Sequence, residues 1–448
     1  MLQPRSDNGS AGFDVIVVGA RCASSPLATL LAKRGLSVCL VDRDDFPSDT
    51  PSTHGIQPVG VEILDRLGVL DRIREVAPPL ESAFLAFDEH RVRVDDAARI
   101  TGAPMFSARR VTLDAILLDA ARAAGAEVRT KATVTGLLTS SGRVAGVETT
   151  KGSLRAPLVV GADGARSTVA RLVGAEEYHR TPARRVFLWS YFEGVGELAQ
   201  RIWLGGIGED NFLAMPTDSG LFLAAFVAPM RRRDEVRTDR TGAYEEGVRR
   251  WPELREALVP ARRSRPVQLM SNWHGFFRRS AGPGWALVGD AGHFKDPTPG
   301  QGIADALRQV ERLAPAIEAS LGGAQPDDAP LLDWWRWRDE DAWEMYWFAQ
   351  DIGAAEGEQY LNAAAGARFA AEPAVVEKLL RILNHEVPPS SLLTPGYVLS
   401  ILAGALREGR GHRRAILAEA RELALEEVRR ARRRRQRPQV SGGAKRLR

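Results

Sequence analysis

Two stretches of this chain end an apolar run in glycine and set an acid close behind it. Asp14-Val-Ile-Val-Val-Gly-Ala-Arg-Cys22 precedes Asp42, and Ala286-Leu-Val-Gly-Asp-Ala-Gly-His293 carries Asp290 and runs on to Gly300-Gln-Gly302. Small residues let backbone amides approach an anion, and a helix N-terminus behind them adds positive potential. One such turn implies only a bound nucleotide. Two, each with its acid, point to one long cofactor held at a nucleotide end and at a redox end.

Gly19 closes the first strand, but Arg21 and Ser24 stand where a GxGxxG turn has its second and third glycines. Asp42 follows Gly19 by 23 positions, near the spacing at which a carboxylate accepts both hydroxyls of an adenosine ribose. The plainer alternative is a helix cap or surface acid. Arg21 and Arg43 are phosphate contacts or ordinary surface charges. His54, in the loop after the ribose strand, is a candidate acid or base, with a hydrogen-bonded structural histidine as its alternative. His293 and Lys295 flank the glycine loop and either tune its charge or are solvated.

The elements that position these residues read as follows. Phe13 to Val18 is a buried strand, Ala23 to Lys33 a helix, and Ser37 to Val41 a second strand, which together make a βαβ unit. A Pro-, Ser- and Asp-rich loop follows, then a helix carrying Val61, Ile63, Leu64 and Leu67, and an amphipathic helix from Thr112 to Ala124. Residues 127–160 suggest three or four strands. From about 183 to 275 alternating apolar and polar residues predict an antiparallel sheet, and from about 303 to 435 nearly everything reads as helix.

The length of 448 residues suits two or three domains, and 44% hydrophobic with 26% charged content is ordinary for a soluble protein. No apolar stretch reaches the length of a membrane span and the polar start does not read as a signal peptide, so a cytoplasmic protein is expected. Two cysteines, Cys22 and Cys39, exclude a disulfide framework and a cysteine metal site, and no metal is expected. The net charge of +4 belongs to the terminus: residues 429–448 hold ten basic residues and no acid, leaving 51 basic against 57 acidic elsewhere. Such a tail reads as a solvated helix end and frayed terminus rather than a nucleic-acid site.

A third small-residue turn, Val159-Val-Gly-Ala-Asp-Gly-Ala-Arg166, lies between the first two. In this order and spacing the three segments resemble the dinucleotide fingerprint, the Asp-Gly motif and the Gly-Asp motif of the FAD-dependent aromatic hydroxylases typified by p-hydroxybenzoate hydroxylase. The resemblance covers most of residues 12–320. It implies an α/β fold: a Rossmann-like FAD-binding domain of the glutathione reductase type, an inserted antiparallel substrate sheet and a helical C-terminal region. The implied boundaries are 1–180 (with a substrate-side segment at about 78–108) and 278–325 for the FAD domain, 181–277 for the substrate sheet, 326–435 for the helical region and 436–448 for the basic tail.

Carried over by position, Gly19, Ala20, Arg21 and Ser24 would lie under the pyrophosphate, with Asp42 and Arg43 at the adenosine ribose and Val134 near adenine. Arg110 would address the ribityl-phosphate region, Asp163 would serve FAD and NAD(P)H through its loop, and Asp290 would accept a ribityl hydroxyl. Pro297, Gly300, Gln301, Gly302 and Ile303 would follow the flavin's pyrimidine edge, where the helix beginning near Gly302 adds positive potential to stabilise the reduced, anionic flavin. NADH or NADPH would be the co-substrate, and a flavin C4a-hydroperoxide would hydroxylate or epoxidise an electron-rich small molecule in secondary metabolism or aromatic catabolism.

Departures point to an alternative on the same scaffold. Phe294-Lys-Asp-Pro297 also resembles flavin-dependent halogenases, and Gly302-Ile303 resembles geranylgeranyl reductases. The Trp-x-Trp-x-Ile-Pro stretch of halogenases is absent, because Trp334-Trp-Arg-Trp337 lacks the Ile-Pro. In the inserted sheet Phe187, Trp189 and Tyr191 share one strand face. With Phe212 and Met215 they would line an aromatic-walled pocket for a flat aromatic or polyene substrate, or else form core. The tryptophans from 334 to 347 wrap round more than one helix face, which suits packing. A homodimer and a separate flavin reductase remain open as partners, with no nucleic acid.

Overall fold

The computed structural model describes residues 12–52, 54–196, 201–354 and 360–434. The strand Val15–Val18 is central in a six-stranded sheet ordered Ala281–Gly282, Trp285–Leu287, Leu158–Gly161, Val15–Val18, Val38–Val41 and Glu127–Arg129. All pairs are parallel except the outer Ala281–Gly282/Trp285–Leu287 hairpin. Every residue of Val15–Val18 and Val38–Val41 is buried because both sheet faces are covered, so these strands are continuous apolar runs. Val15, Val17 and Leu40 meet Leu27 and Leu31 of the helix Ser24–Ala32 and Leu313 of the helix Gly302–Leu321. Ile16, Val18 and Cys39 meet Val134, Val147 and Leu154 of a three-stranded antiparallel sheet on the other face.

That small sheet corrects the strand count. Residues 127–161 carry five strands, Glu127–Arg129, Val134–Ser140, Arg143–Thr149, Gly152–Arg155 and Leu158–Gly161, rather than three or four. Tight turns at Ser141-Gly142 and Lys151-Gly152 fold the middle three into a meander.

A second sheet of eight strands carries Arg185–Glu193, Phe222–Pro229, Asp210–Pro216 and Ile202–Ile207 side by side. It continues into Ala83–Phe87, which pairs parallel with Ile202–Ile207, and then His90–Val94. The sheet is therefore mostly but not wholly antiparallel. The region expected to be all strand also holds three helices, Arg233–Thr238, Arg240–Arg249 and Pro252–Leu258. These cover the far face of the sheet, which explains why all eight residues of Phe222–Pro229 are buried and the strand does not alternate.

Six helices between Gly302 and Arg433 complete the described fold. In the helix Ala329–Ile352, Trp334 and Trp335 pack under the first sheet, while Trp343 and Trp347 pack with Tyr346 and Phe277. The tail from residue 435 lies outside the described residues. Among the described residues no helix is long and apolar enough to cross a membrane, and no group of three His, Cys, Asp or Glu side chains could hold a metal.

Candidate functional site

A cavity of about 690 Å³ runs between the two sheets. Its first end is built by the turn after Val15–Val18. Gly19 has φ +106°, and a Cβ there would stand 2.6 Å from the carbonyl oxygen of Ala162, so the two small-residue turns touch only because residue 19 has no side chain. The missing glycines are replaced by hydrogen bonds. The Ser24 hydroxyl accepts the Arg21 amide (2.6 Å) and donates to the Arg21 carbonyl (3.2 Å), closing the turn from within.

Asp42 is buried at the end of its strand, where it accepts the amides of Ala20 (2.8 Å) and Asp44 (2.8 Å). Burial raises its pKa, and those two amides partly offset the shift. With both oxygens fixed by amides, Asp42 lines the cavity with Val134 and Asp163. Asp163 accepts the Ser167 hydroxyl (2.5 Å) and the Thr168 amide (2.6 Å), holding the second turn onto the helix Thr168–Leu172. Arg21 is tied to Asp44 (2.9 Å) and Asp114 (3.1 Å), whereas Arg43 lies at the mouth with its side chain 77% exposed.

Asp290, Arg110 and the loop from Asp296 to Gly302 make the other end. Arg110 pairs with the fully buried Asp114 at 3.0 Å. The Asp290 side chain is exposed, opening into the cavity. Burial pushes its carboxyl up to about 6, although Arg110 draws it down. Asp296 accepts the Thr298 amide (2.9 Å) and hydroxyl (2.5 Å), Gly300 takes φ +66°, and the helix Gly302–Leu321 begins there with its amides toward the cavity. Pro297, Gln301 and Ile303 line the same stretch.

The sheet Arg185–Glu193 supplies the wall between the ends. Phe187 and Trp189 line the cavity, and Tyr191 stands behind His54, its hydroxyl bonded to His54 Nε2. His54 is 1% exposed with φ +63°, and its Nδ1 has no partner. Burial first, and then Arg110, push its pKa down to about 3, so the ring is neutral. Burial pushes the Tyr191 phenol well above its usual range, which keeps it protonated. A second, apolar pocket of about 60 Å³ opens beside Gly55 and Gly300, lined by Met215, Leu85, Leu204, Ala97 and Leu383.

Phe212 is a correction. It sits three residues from Met215 on the same strand, and an odd separation puts the two on opposite faces. Phe212 instead packs edge-on against Trp251 (5.5 Å between centroids) in the core behind the sheet.

Motif reading missed residues from the C-terminal helices. Gln301 donates to the Leu383 carbonyl (2.8 Å) and accepts Lys295 Nζ (2.7 Å), while the Val59 amide donates to Asn384 (2.7 Å). Nothing local marks residues 383–385 as part of a site. The one local oddity is Asp305, an acid in the first turn of the helix Gly302–Leu321.

The residues fit FAD. A two-ended cavity with a glycine contact too close for any Cβ at one end, a positive-φ glycine loop at the other and an unpartnered buried His54 Nδ1 between them matches a long nucleotide cofactor. Comparison with known proteins agrees: the family described as FAD binding domain matches residues 12–344. A 6-methylpretetramide 4-monooxygenase from Streptomyces rimosus is 27% identical over 324 residues, covering 70% of this chain and 77% of that one. A rifampicin monooxygenase from Streptomyces venezuelae is 27% identical over 342 residues, 72% of this chain and 67% of that one. The solved structure of the flavin-dependent brominase Bmp2 superposes with a TM-score of 0.71 at 18% identity, covering 90% of this chain and all of that one, which is a likeness of fold.

Proposed function

The chain belongs to the FAD binding domain family as an FAD-dependent monooxygenase of the p-hydroxybenzoate hydroxylase-like kind, and from that premise we propose that it hydroxylates or epoxidises a flat, largely apolar, electron-rich molecule with NADH or NADPH as reductant. The observation that carries the substrate class is that the cofactor cavity, walled by Phe187 and Trp189, extends beside Gly300 into a small, mostly aliphatic pocket. A charged substrate would lose its hydration there without a counter-ion.

Bound FAD would supply hydride acceptance from the nicotinamide and oxygen activation. The chain's own residues do the rest. Gly19, Asp42 and Val134 hold the adenosine end; Arg110 and Asp290 hold the ribityl region; Gly300 to Ile303 present backbone amides to the ring. Phe187 and Trp189 shield the ring from water, which would otherwise divert activated oxygen to peroxide. His54, neutral and hydrogen-bonded to Tyr191, is the group placed to hold or accept a proton at its ring nitrogens beside the reacting centre. Two cysteines without a disulfide agree with a cytoplasmic enzyme.

The test is NADH or NADPH oxidation by the FAD-loaded protein under isotopically labelled dioxygen, with a panel of apolar aromatics and polyenes. Substrate-stimulated oxidation with one labelled oxygen in the product is expected. Turnover that requires halide, or that runs without oxygen, would instead identify a halogenase or a reductase. A flavin-loaded protein that no compound stimulates refutes the reading.

A further inference from the structure

Behind the glycine loop lies a buried charge cluster that no motif accounts for. Lys295 Nζ sits 2.7 Å from Asp305 Oδ2 and donates to Gln301 Oε1 at 2.7 Å. The other Asp305 oxygen lies 3.0 Å from His385 Nε2. Arg308 approaches His385 Nδ1 at 3.3 Å and is itself held by both oxygens of Asp341, at 2.9 and 2.7 Å. A donor on Nδ1 leaves Nε2 as the protonated nitrogen, beside Asp305 but without the alignment of a hydrogen bond. Lys295 and Asp305 both line the cofactor cavity next to Gly302 and Ile303. Lys295 is 8% exposed, and a buried ammonium persists only with such partners.

Two further observations argue against plain packing. His385 holds φ +59°, a backbone state that histidine adopts at a cost and that persists where surrounding contacts impose it. The turn that carries it also supplies the Leu383 carbonyl to Gln301 and Asn384 to the Val59 amide, so three consecutive residues grip the cavity wall. All three lie beyond residues 12–344, the part of the chain that the family match covers.

We propose that Lys295, Asp305 and His385 form a charge-balancing triad of positioning residues that sets the reduction potential of FAD at the glycine-loop end. This rests on the FAD reading above. Asp305 holds the Lys295 ammonium at the cavity wall, and His385 stands against its other oxygen. Burial raises the Asp305 carboxyl, but Lys295 and then His385 outweigh it and keep the group ionised. The cluster is thus a fixed cation and a fixed anion side by side at low dielectric, where the loss of either leaves the other's field unbalanced.

The signs follow. Lys295→Met leaves the Asp305 carboxylate, which lines the open cavity and keeps His385 at 3.0 Å, without its ammonium; this disfavours adding electrons to the ring, so the potential falls. Asp305→Asn leaves an unbalanced ammonium, so the potential rises. Each shift should reach at least a tenfold change in the two-electron equilibrium, about 30 mV. The double variant should return close to wild type, and His385→Phe should fall in the same sense as Lys295→Met but by less. General disruption of the site would move all variants one way and would not cancel in the double variant.

The experiment is dye-equilibrated reduction of the FAD-loaded wild-type and variant proteins, with bound flavin counted by absorbance. Should Lys295→Met not fold, Lys295→Gln keeps a donor to Asp305 without the charge, and its potential must also fall. Opposite shifts that cancel support the triad. Unchanged potentials, or shifts of one sign, overturn it. A wild-type protein that takes up no FAD overturns the cofactor reading instead.

Discussion

Asp290→Asn isolates one contact at the redox end of the cavity. The wild-type carboxyl faces the cavity with its pKa pushed up to about 6 by burial against the pull of Arg110. Its proposed task is to accept a ribityl hydroxyl, and a hydrogen bond to a charged group contributes about 1.5–3 kcal/mol. Asn keeps the volume and a weaker acceptor, so the lower value applies, roughly a tenfold loss of FAD affinity above neutral pH. Protonation does to the wild type what the substitution does to the variant. FAD prefers the ionised carboxylate, so wild-type affinity is full above about pH 7 and declines as pH falls through about 6, reaching about a fivefold loss near pH 5 on the way to the tenfold limit. The variant should lose most of that dependence. Asp296, also raised by burial to about 6, lines the same cavity and keeps titrating in the variant, so any residual slope reports that residue. His54, already neutral with a pKa near 3, contributes nothing across this range. Quenching of flavin fluorescence on titrating FAD into apoprotein from pH 8 to 5 measures all of this. A wild-type affinity that stays flat, or a variant that binds as tightly as wild type, refutes the reasoning.

Gly19→Ala forces a side chain to within 2.6 Å of the Ala162 carbonyl at φ +106°. The left-handed backbone alone costs roughly 1–2 kcal/mol, so a lower melting temperature together with loss of bound flavin is expected, and a variant that keeps its full flavin contradicts the close approach. Trp251→Ala empties a fully buried site packed on Phe84, Trp203 and Phe212 behind the second sheet. Urea unfolding should show a loss of about 3–5 kcal/mol with FAD affinity unchanged, because that face looks away from the cavity. Tyr191→Phe keeps the ring and leaves both His54 nitrogens without a partner. If His54 handles a proton, kcat should drop by about a hundredfold at constant FAD content, and an unaltered kcat removes His54 from the chemistry.

The sequence exposed the parts of the fold whose local pattern and tertiary role agree. Val15–Val18 and Val38–Val41 are apolar throughout because both faces are covered, and the βαβ unit follows from them directly. Legibility failed where a neighbour far along the chain decides the outcome. The helices between Arg233 and Leu258 sit within what reads as a strand region, though Asp239 caps one of them and Pro252 opens another, both local signals. Phe212 was assigned to the cavity by residue type, when counting from Met215 along one strand places it behind the sheet. The turn at 383–385 carries no motif at all. Its membership in the site depends on the packing of the helix Pro373–Leu383 against the glycine loop, which no local pattern specifies.

The degenerate fingerprint also has a physical reading that residue types alone could not supply. Where a full GxGxxG turn relies on absent side chains, this chain fills the positions and binds the added groups internally. Ser24 closes the turn through its hydroxyl, and the Arg21 guanidinium is drawn off the turn by Asp44, Ser48 and Asp114. Asp114 also receives Arg110, so one fully buried carboxylate ties the first turn to the arginine at the opposite end of the cavity. Two guanidinium partners at 3.1 and 3.0 Å replace the hydration this buried carboxylate has lost. The arrangement makes Arg21 and Arg110 interdependent: the geometry offered to the pyrophosphate and the geometry offered to the ribityl chain share a single anchor. Loss of two glycines is therefore compatible with a nucleotide site, because the constraint those glycines express by omission is expressed here by a hydrogen-bonded network.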